Sequence, residues 1–190
     1  NKEFKKKQHE LRQFKTMNEL IRPPIVKSER TMNLAILLVV GMFIFETSAN
    51  TSLLQGAVAG GILGGLAIAV VVSFINIGCS FLLGRMTLPH LNHINEDNQN
   101  RAKFIIAIYL PVIIYFNFAM GVFRSISEIA LSERDQDAVI MAAQNAVWPF
   151  NDLSQLTFTS AGLIATGLIF AIVALIDGYK YDDPYPNYGS

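Results

Sequence analysis

Four long apolar runs constrain this 190-residue chain more than any other feature. They lie at about residues 33–54, 56–83, 104–123 and 153–176. An α-helix needs about 20 apolar residues to cross the roughly 30 Å hydrocarbon core of a bilayer. Apolar residues make up 52% of the chain and charged residues only 16%, which is unusual for a soluble domain. We therefore predict an all-α, polytopic membrane protein with a four-helix transmembrane domain over residues 32–176.

The first run contains a carboxylate. Its uncharged part, residues 34–45, is too short to cross a bilayer, so the helix must continue past Glu46 to about Leu54. A charged side chain within a membrane is costly and is tolerated mainly where it faces protein, water or an ion. Glu46, with Asn50 one turn further on, is therefore the main functional candidate. It could line an ion pathway, or it could lie in water at the outer interface and pair with Arg124.

Two asparagines lie in the other apolar runs, Asn76 in the second and Asn117 in the third. Hydrogen bonds between membrane helices through such side chains are typically worth about 0.6 kcal/mol. We predict that both link helices. A pore-lining role would require them to share a stripe with Glu46. The predicted span boundaries place Asn76 and Asn117 near opposite ends of their spans, which argues against a shared stripe.

Glycines repeat every four residues in the second run. Two adjacent ladders of small residues contain Gly56, Gly60 and Gly64, and Gly61 and Gly65. Such a flat face lets another helix backbone approach closely, and the partner could be in the same chain or in a neighbouring copy. In the third run, Pro111 lacks a backbone donor, so we expect it to kink that helix.

The first 31 residues are basic, with nine Lys or Arg against four Glu. The spacing of their apolar side chains predicts an amphipathic helix that stops at Pro23, and the stripe consists of Phe4, Leu11, Phe14, Asn18 and Ile21. This helix could join a coiled coil or bundle, or it could lie on anionic lipid. Because the chain opens at Asn1 in a helical pattern, we expect it to be part of a longer protein.

The distribution of charge predicts the orientation. The 84–103 connector has a net charge of +1, and the 124–160 connector has a net charge of −3. By the positive-inside rule, both termini should be cytoplasmic. We therefore expect an integral protein of a bacterial inner membrane, with anionic lipid at its cytoplasmic face. The 124–160 connector should contain a helix outside, and residues 177–190 should form an extended cytoplasmic tail rich in Tyr and Pro.

A metal site is weakly indicated in the 84–103 connector. On a helix begun by Pro89, the side chains of His90, His93 and either Glu96 or Asp97 would share one face and could bind a transition metal. A solvated connector explains the same residues more simply. The lone cysteine, Cys79, lies in an apolar run, and no nucleophile has a base near it in the sequence. We predict no enzymatic activity, no cofactor and no nucleic-acid partner.

Two functions fit this pattern. The first is an oligomerising, non-catalytic transmembrane anchor of a larger complex, which would form homo-oligomers and hold a cytosolic partner or a fused soluble domain. The second is an ion or small-solute channel, or a membrane-disrupting pore, formed between copies. In that case Glu46 and Asn50 would line its outer mouth.

Overall fold

The computed structural model describes residues 2–56, 58, 60–133, 136–150 and 153–188. Every regular element among these residues is helical. In chain order the α-helices are α1 Lys2–Met17, α2 Glu29–Leu54, α3 Gly61–Ser73, α4 Cys79–Met86, α5 Glu96–Glu133, α6 Gln136–Ala146 and α7 Phe158–Tyr179. A π-helical turn, Phe74–Gly78, joins α3 to α4, and short 3₁₀ helices lie at Leu88–Asn92 and Leu153–Gln155.

Four of these helical segments are long and apolar enough to cross a membrane. They are Glu29–Leu54, Gly61–Asn92, Glu96–Glu128 and Phe158–Tyr179. The prediction of an all-helical chain with four such segments is therefore confirmed. The structure also forms a helix, α6, within the 124–160 connector.

The helix boundaries differ from the predicted ones for local reasons. The second span begins at Gly61 because Gly60 and Gly61 have positive φ angles of 91° and 57°, which an α-helix does not accommodate. The third span begins eight residues early, at Glu96, where acidic side chains suit a helix N-terminus. The last span begins at Phe158, after the Thr157 side chain accepts a hydrogen bond from the backbone N–H of Ser160.

Helices α4 and α7 make the closest helix pair in the bundle. A Cβ atom on Gly84 would collide with the backbone carbonyl of Leu175, and one on Gly178 would collide with that of Phe81. The buried residues of α7 recur at alternating intervals of four and three and are mostly small: Ser160, Ile164, Gly167, Ala171, Ala174 and Gly178. Ala174 and Gly178 of this stripe pack against the second span, whereas Ile164 lies against Gly121 of α5. Small residues drive close helix packing here, as expected in lipid.

The C-terminal tail folds back onto the N-terminal segment. Asp183 accepts two hydrogen bonds from the Arg22 guanidinium, at 2.7 and 2.6 Å, and another from the backbone N–H of Ile25 at 2.7 Å. Of the predicted extended tail, residues 177–179 belong to α7, and the described residues 180–188 form turns and bends. The backbone N–H of Tyr185 donates a fourth hydrogen bond to Asp183 at 2.8 Å, and these four bonds hold the turns in place.

Aromatic side chains complete this contact. Phe14 of α1 stacks on Tyr188, with ring centroids 5.9 Å apart, and the Tyr185 hydroxyl donates to Asn18 Oδ1 at 2.8 Å. Tyr185 also stacks on His93. We call the contact of residues 14–25 with residues 179–188 the terminal clamp. The end of the bundle that carries it is the termini side, and the opposite end, where α2 meets α3, is the loop side.

The terminal clamp should depend on pH through Asp183. Burial alone would raise the pKa of this carboxyl, but the hydrogen bonds from Arg22 and two backbone N–H groups, with the charge of Arg22, lower it below its ordinary value. A lowered pKa stabilises the clamp above the unfolded value of about 4, and this stability is lost as pH falls through the folded value.

We therefore expect the tail amides to be protected from hydrogen exchange at pH 7 and to lose protection below about pH 4, after correction for the intrinsic exchange rate. Asp183→Asn should lose protection already at pH 7. The matched control is Asp182→Asn, because Asp182 pairs with Arg85 on an exposed surface. Equal protection in the two variants would contradict the role given to Asp183.

Candidate functional site: a polar cluster inside the bundle

All four spans contribute to a chain of buried hydrogen bonds. The Asn76 amide donates to Glu46 Oε1 at 2.9 Å and to the Gly167 carbonyl at 2.9 Å. The Asn117 amide donates to Asn76 Oδ1 at 2.9 Å and to the carbonyl of Ile113, in its own helix, at 2.9 Å. Glu46 is 5% exposed and Asn76 is fully buried. The Asn76 side chain, in the second span, is therefore bonded to α2, α5 and α7. We call this meeting point of the four spans the junction.

The π-helical turn places Asn76 at this junction. Phe74–Gly78 widens the helix between α3 and α4, and Asn76 is the middle residue of the turn. Single π-turns are rare and occur frequently at functional sites. A side chain at Gly78 would lie 2.8 Å from the Phe74 ring, so the glycine leaves room for the wider turn.

Gly167 completes the junction by having no side chain. A Cβ atom here would collide with Asn117 Oδ1 and lie 3.1 Å from Asn76 Nδ2. The glycine therefore lets both amides reach α7, and its carbonyl accepts from Asn76. Sequence analysis did not identify Gly167. The spacing of small residues in the last apolar run, which includes Gly167, could have identified it as a packing position.

The depths inferred from the sequence were wrong for the two asparagines. Asn76 and Asn117 lie at the level of Glu46, and the three side chains are joined by hydrogen bonds. The second span starts five residues later than predicted and the third starts eight residues earlier. The second span also ends nine residues later, at Asn92, so Asn76 lies near the middle of its span and not toward one end.

A second polar layer lies on the loop side of this junction. Asn50 is one turn beyond Glu46 along α2, and Ser73 is one turn before Asn76 in α3. Among the described residues, seven buried side chains of this region have polar atoms without a hydrogen-bond partner: Glu46 (Oε2), Thr47, Asn50, Ser73, Arg124 (Nε), Ser127 and Ser160. Buried polar groups are normally paired, so this concentration indicates a place where polar species bind.

The second layer contains a charge of each sign. Arg124 is 5% exposed, and its charge interacts with that of Glu46. The contacts of these two described residues include no direct ion pair. This arrangement differs from the predicted alternative of a solvated Glu46 at the outer interface, because both side chains lie inside the protein. The free Glu46 oxygen and the free Arg124 nitrogen are both available to a polar ligand.

The termini side of the junction is lined mainly by apolar side chains. Met42, Ile77 and Ala174 form an apolar core there, packed against Val39, Phe43, Phe81, Phe170 and Val173. The one hydroxyl cluster described at this level is paired, because Ser80 hydrogen-bonds both the Asn76 carbonyl and the Tyr109 hydroxyl. The unpartnered polar side chains therefore lie on the loop side of Glu46, and the apolar core lies on its termini side.

The other predicted site residues are placed as follows. His90 and His93 stack with ring centroids 6.2 Å apart, but the 3₁₀ helix ends between them, and His93 Nδ1 accepts from the backbone N–H of Asn95. Glu96 begins α5. Within the described ranges, no group of three His, Cys, Asp or Glu side chains could hold a metal ion.

The glycine ladders do not form one helix face. Gly56 and Gly60 precede α3, and Gly61 has a positive φ at its start. Gly65 does provide close packing, since a Cβ there would lie 2.8 Å from the backbone nitrogen of Gln55. Gly64 is half-buried in the same helix. This contact lies within the chain, where α2 ends.

Pro111 lies inside α5, which remains helical on both sides of it. Proline has no N–H to donate to the carbonyl four residues earlier, so the helix lacks one hydrogen bond there. Asn117, whose amide bonds the carbonyl of Ile113, follows within two turns. The junction thus contains the π-turn of the second span, and the proline of the third span lies within two turns of it.

Comparison of this chain with protein-family models, with curated proteins and with solved structures finds no match. Any function must therefore be inferred from the polar cluster and the surfaces of the chain.

Proposed function

We propose that this protein admits protons or small cations into the membrane from the loop side and binds them at Glu46. The observation that supports it is a buried carboxylate with one oxygen held by Asn76 and the other without a hydrogen-bond partner, one turn from the unpartnered side chain of Asn50. Ionisable residues inside membrane spans mark ion or proton pathways by default. The conduit lies within one bundle, because Glu46 and Asn50 are buried in the protomer.

The polar layer gives this proposal its direction. Asn50, Ser73 and Ser160 supply amide and hydroxyl groups that can solvate a cation or order water next to the carboxylate. The positive charge of Arg124 acts on Glu46 and weakens the binding of a cation there, so that a bound cation can leave again. The apolar core of Met42, Ile77 and Ala174 then separates the site from the termini side until the helices move.

Replacing Glu46 with glutamine tests the proposal. In proteoliposomes containing a pH-sensitive dye, we expect the native protein to dissipate an imposed proton gradient and Glu46→Gln to lower that rate at least tenfold, because the amide cannot exchange a proton. Glu29→Gln is the matched control, since Glu29 is an exposed glutamate at the start of the same helix. Equal rates in the two variants, or no flux of protons, Na⁺ or K⁺ in the native protein, would refute the proposal.

A second candidate function is that of an oligomerising, non-catalytic membrane anchor for a cytosolic partner or fused domain. The terminal clamp favours it, because Phe14 near the end of the basic helix α1 stacks on Tyr188 and holds that end of the helix against the termini side of the bundle. Phe4 and Leu11 of that helix remain exposed and could join a second copy. Mass photometry in mild detergent tests this candidate: a purely monomeric population, unchanged by Leu11→Glu, would exclude assembly through α1.

We further propose that the termini side faces the cytoplasm of a bacterial inner membrane, with anionic lipid against it. The basic residues of 1–31 support this orientation through the positive-inside rule. A reporter that is active only in the periplasm, fused after Lys180, should be inactive.

A further inference from the structure

Two grooves meet on the termini side of the bundle. One, of about 440 Å³, lies between the segment before α2, the end of α4 and the tail. The other, of about 310 Å³, lies between the first turns of α2 and the end of α7. Lys27, Met32 and Tyr181 line both grooves. The two therefore form one continuous surface at the level where α2 enters its membrane-spanning segment.

The first groove has a mixed polar and apolar lining and contains cationic groups with free donors. The Arg85 Nε donates to Asp182 at 2.9 Å, and its guanidinium lies 4.5 Å from the centre of the Tyr181 ring. Within the described part of the chain, its two terminal nitrogens have no hydrogen-bond partner. His90 Nδ1 is also buried there without one. Planar guanidinium donors match the oxygens of a phosphate.

The second groove is apolar and runs down α2 into the membrane-spanning segment. Leu34, Ala35 and Leu38 line it on successive turns, so its floor continues below the level of Lys27. An apolar channel that begins beside cationic groups and runs toward the hydrocarbon matches a lipid acyl chain. A soluble ligand would not use this part of the surface.

The charges of this surface leave one positive charge unbalanced. Its carboxylates are Asp177, Asp182 and Asp183, of which Asp183 is bound by Arg22 and Asp182 by Arg85. Lys27 and Lys180 both act on Asp177. The linings themselves hold three cations and three carboxylates. Arg22 adds a fourth cation next to the first groove through its ion pair with Asp183, and this additional charge is equal and opposite to that of one phosphodiester.

We propose that the two grooves bind one anionic glycerophospholipid. Its phosphate lies at Lys27 and Arg85 in the first groove, and one acyl chain follows α2 in the second. The inference is independent of the ion site at Glu46, which lies deeper in the bundle. The lipid contacts the segment before α2, the end of α7 and the tail together, so it stabilises the terminal clamp as well as the adjacent span.

Native mass spectrometry of the detergent-purified protein tests the site. With phosphatidylglycerol as the probe, we expect one lipid to be retained at least tenfold more strongly than phosphatidylcholine of the same acyl chains. The double variant Lys27→Gln/Arg85→Gln should lose this preference, whereas Lys27→Arg/Arg85→Lys should retain it. Elution volume and helicity show whether each variant is folded.

The matched control removes two basic residues elsewhere, Lys5→Gln/Lys6→Gln in exposed α1. It should retain the lipid as the native protein does. Equal loss in the control, or equal retention of the two lipids by the native protein, would overturn the proposal, since bulk surface charge would then explain binding. Displacement of the lipid by millimolar glycerol 3-phosphate alone would also overturn it, because the second groove would then contribute nothing.

Discussion

Replacing Gly178 with leucine should destabilise this protein strongly, because Gly178 lies where α4 and α7 are in contact. A Cβ at Gly178 would collide with the backbone carbonyl of Phe81 and lie 2.9 Å from the backbone nitrogen of Arg85. Overfilling a packed interior by side chains alone costs about 1–3 kcal/mol. Here the obstacle is backbone, which no change of rotamer relieves, so we expect about 3 kcal/mol or more.

Gly162→Leu is the matched control for this prediction. Gly162 lies in the same helix and is exposed, and a Cβ atom there would meet no other atom within 4 Å. Leucine is a better helix former than glycine by about 1 kcal/mol, so the control should be neutral or slightly stabilising. Thermal unfolding followed by size-exclusion chromatography measures both. Equal melting temperatures would show that α4 and α7 do not approach as closely as described.

The four spans could be predicted because the bilayer imposes a length and an apolar composition that are visible in the sequence. Their packing partners could not. Small residues occur both in the second run, at Gly56 to Gly65, and in the last, at Gly167 to Gly178. Spacing alone does not show that α3 would begin only at Gly61, after Gly56 and Gly60, or that Gly178 would contact Phe81. Backbone conformation decides which of two similar patterns forms the interface.

The site was predictable residue by residue but not as a cluster. Glu46, Asn76 and Asn117 each stand out as polar groups in apolar runs. Their meeting depends on where each helix begins and on the π-turn at Phe74–Gly78, which changes the direction of Asn76. Neither feature has a strong sequence signal. The position of the tail could not be predicted either. Pro184 and Pro186 indicate a non-helical segment, but they do not show that this segment binds Arg22.

Asn76→Leu should have the second largest effect, because it removes the residue that joins the spans. Leucine is similar in size but cannot donate to Glu46 or to the Gly167 carbonyl, nor accept from Asn117. Each buried polar group left unpaired costs about 1–3 kcal/mol, more when it is charged. We therefore expect a loss of about 3 kcal/mol in the free energy of unfolding.

Two comparisons isolate the cause. Asn117→Leu removes a single bond between helices, the one to Asn76, and should cost about 1 kcal/mol. The double variant Glu46→Leu/Asn76→Leu should be more stable than Asn76→Leu alone, because it also removes the carboxylate that the single change leaves without a donor. Unfolding by denaturant titration in detergent measures these variants and the single variant Glu46→Leu, which completes the double-mutant cycle. If the two changes are additive, the Glu46 carboxylate does not depend on Asn76, and the hydrogen bond between them contributes nothing to holding α2 against the second span.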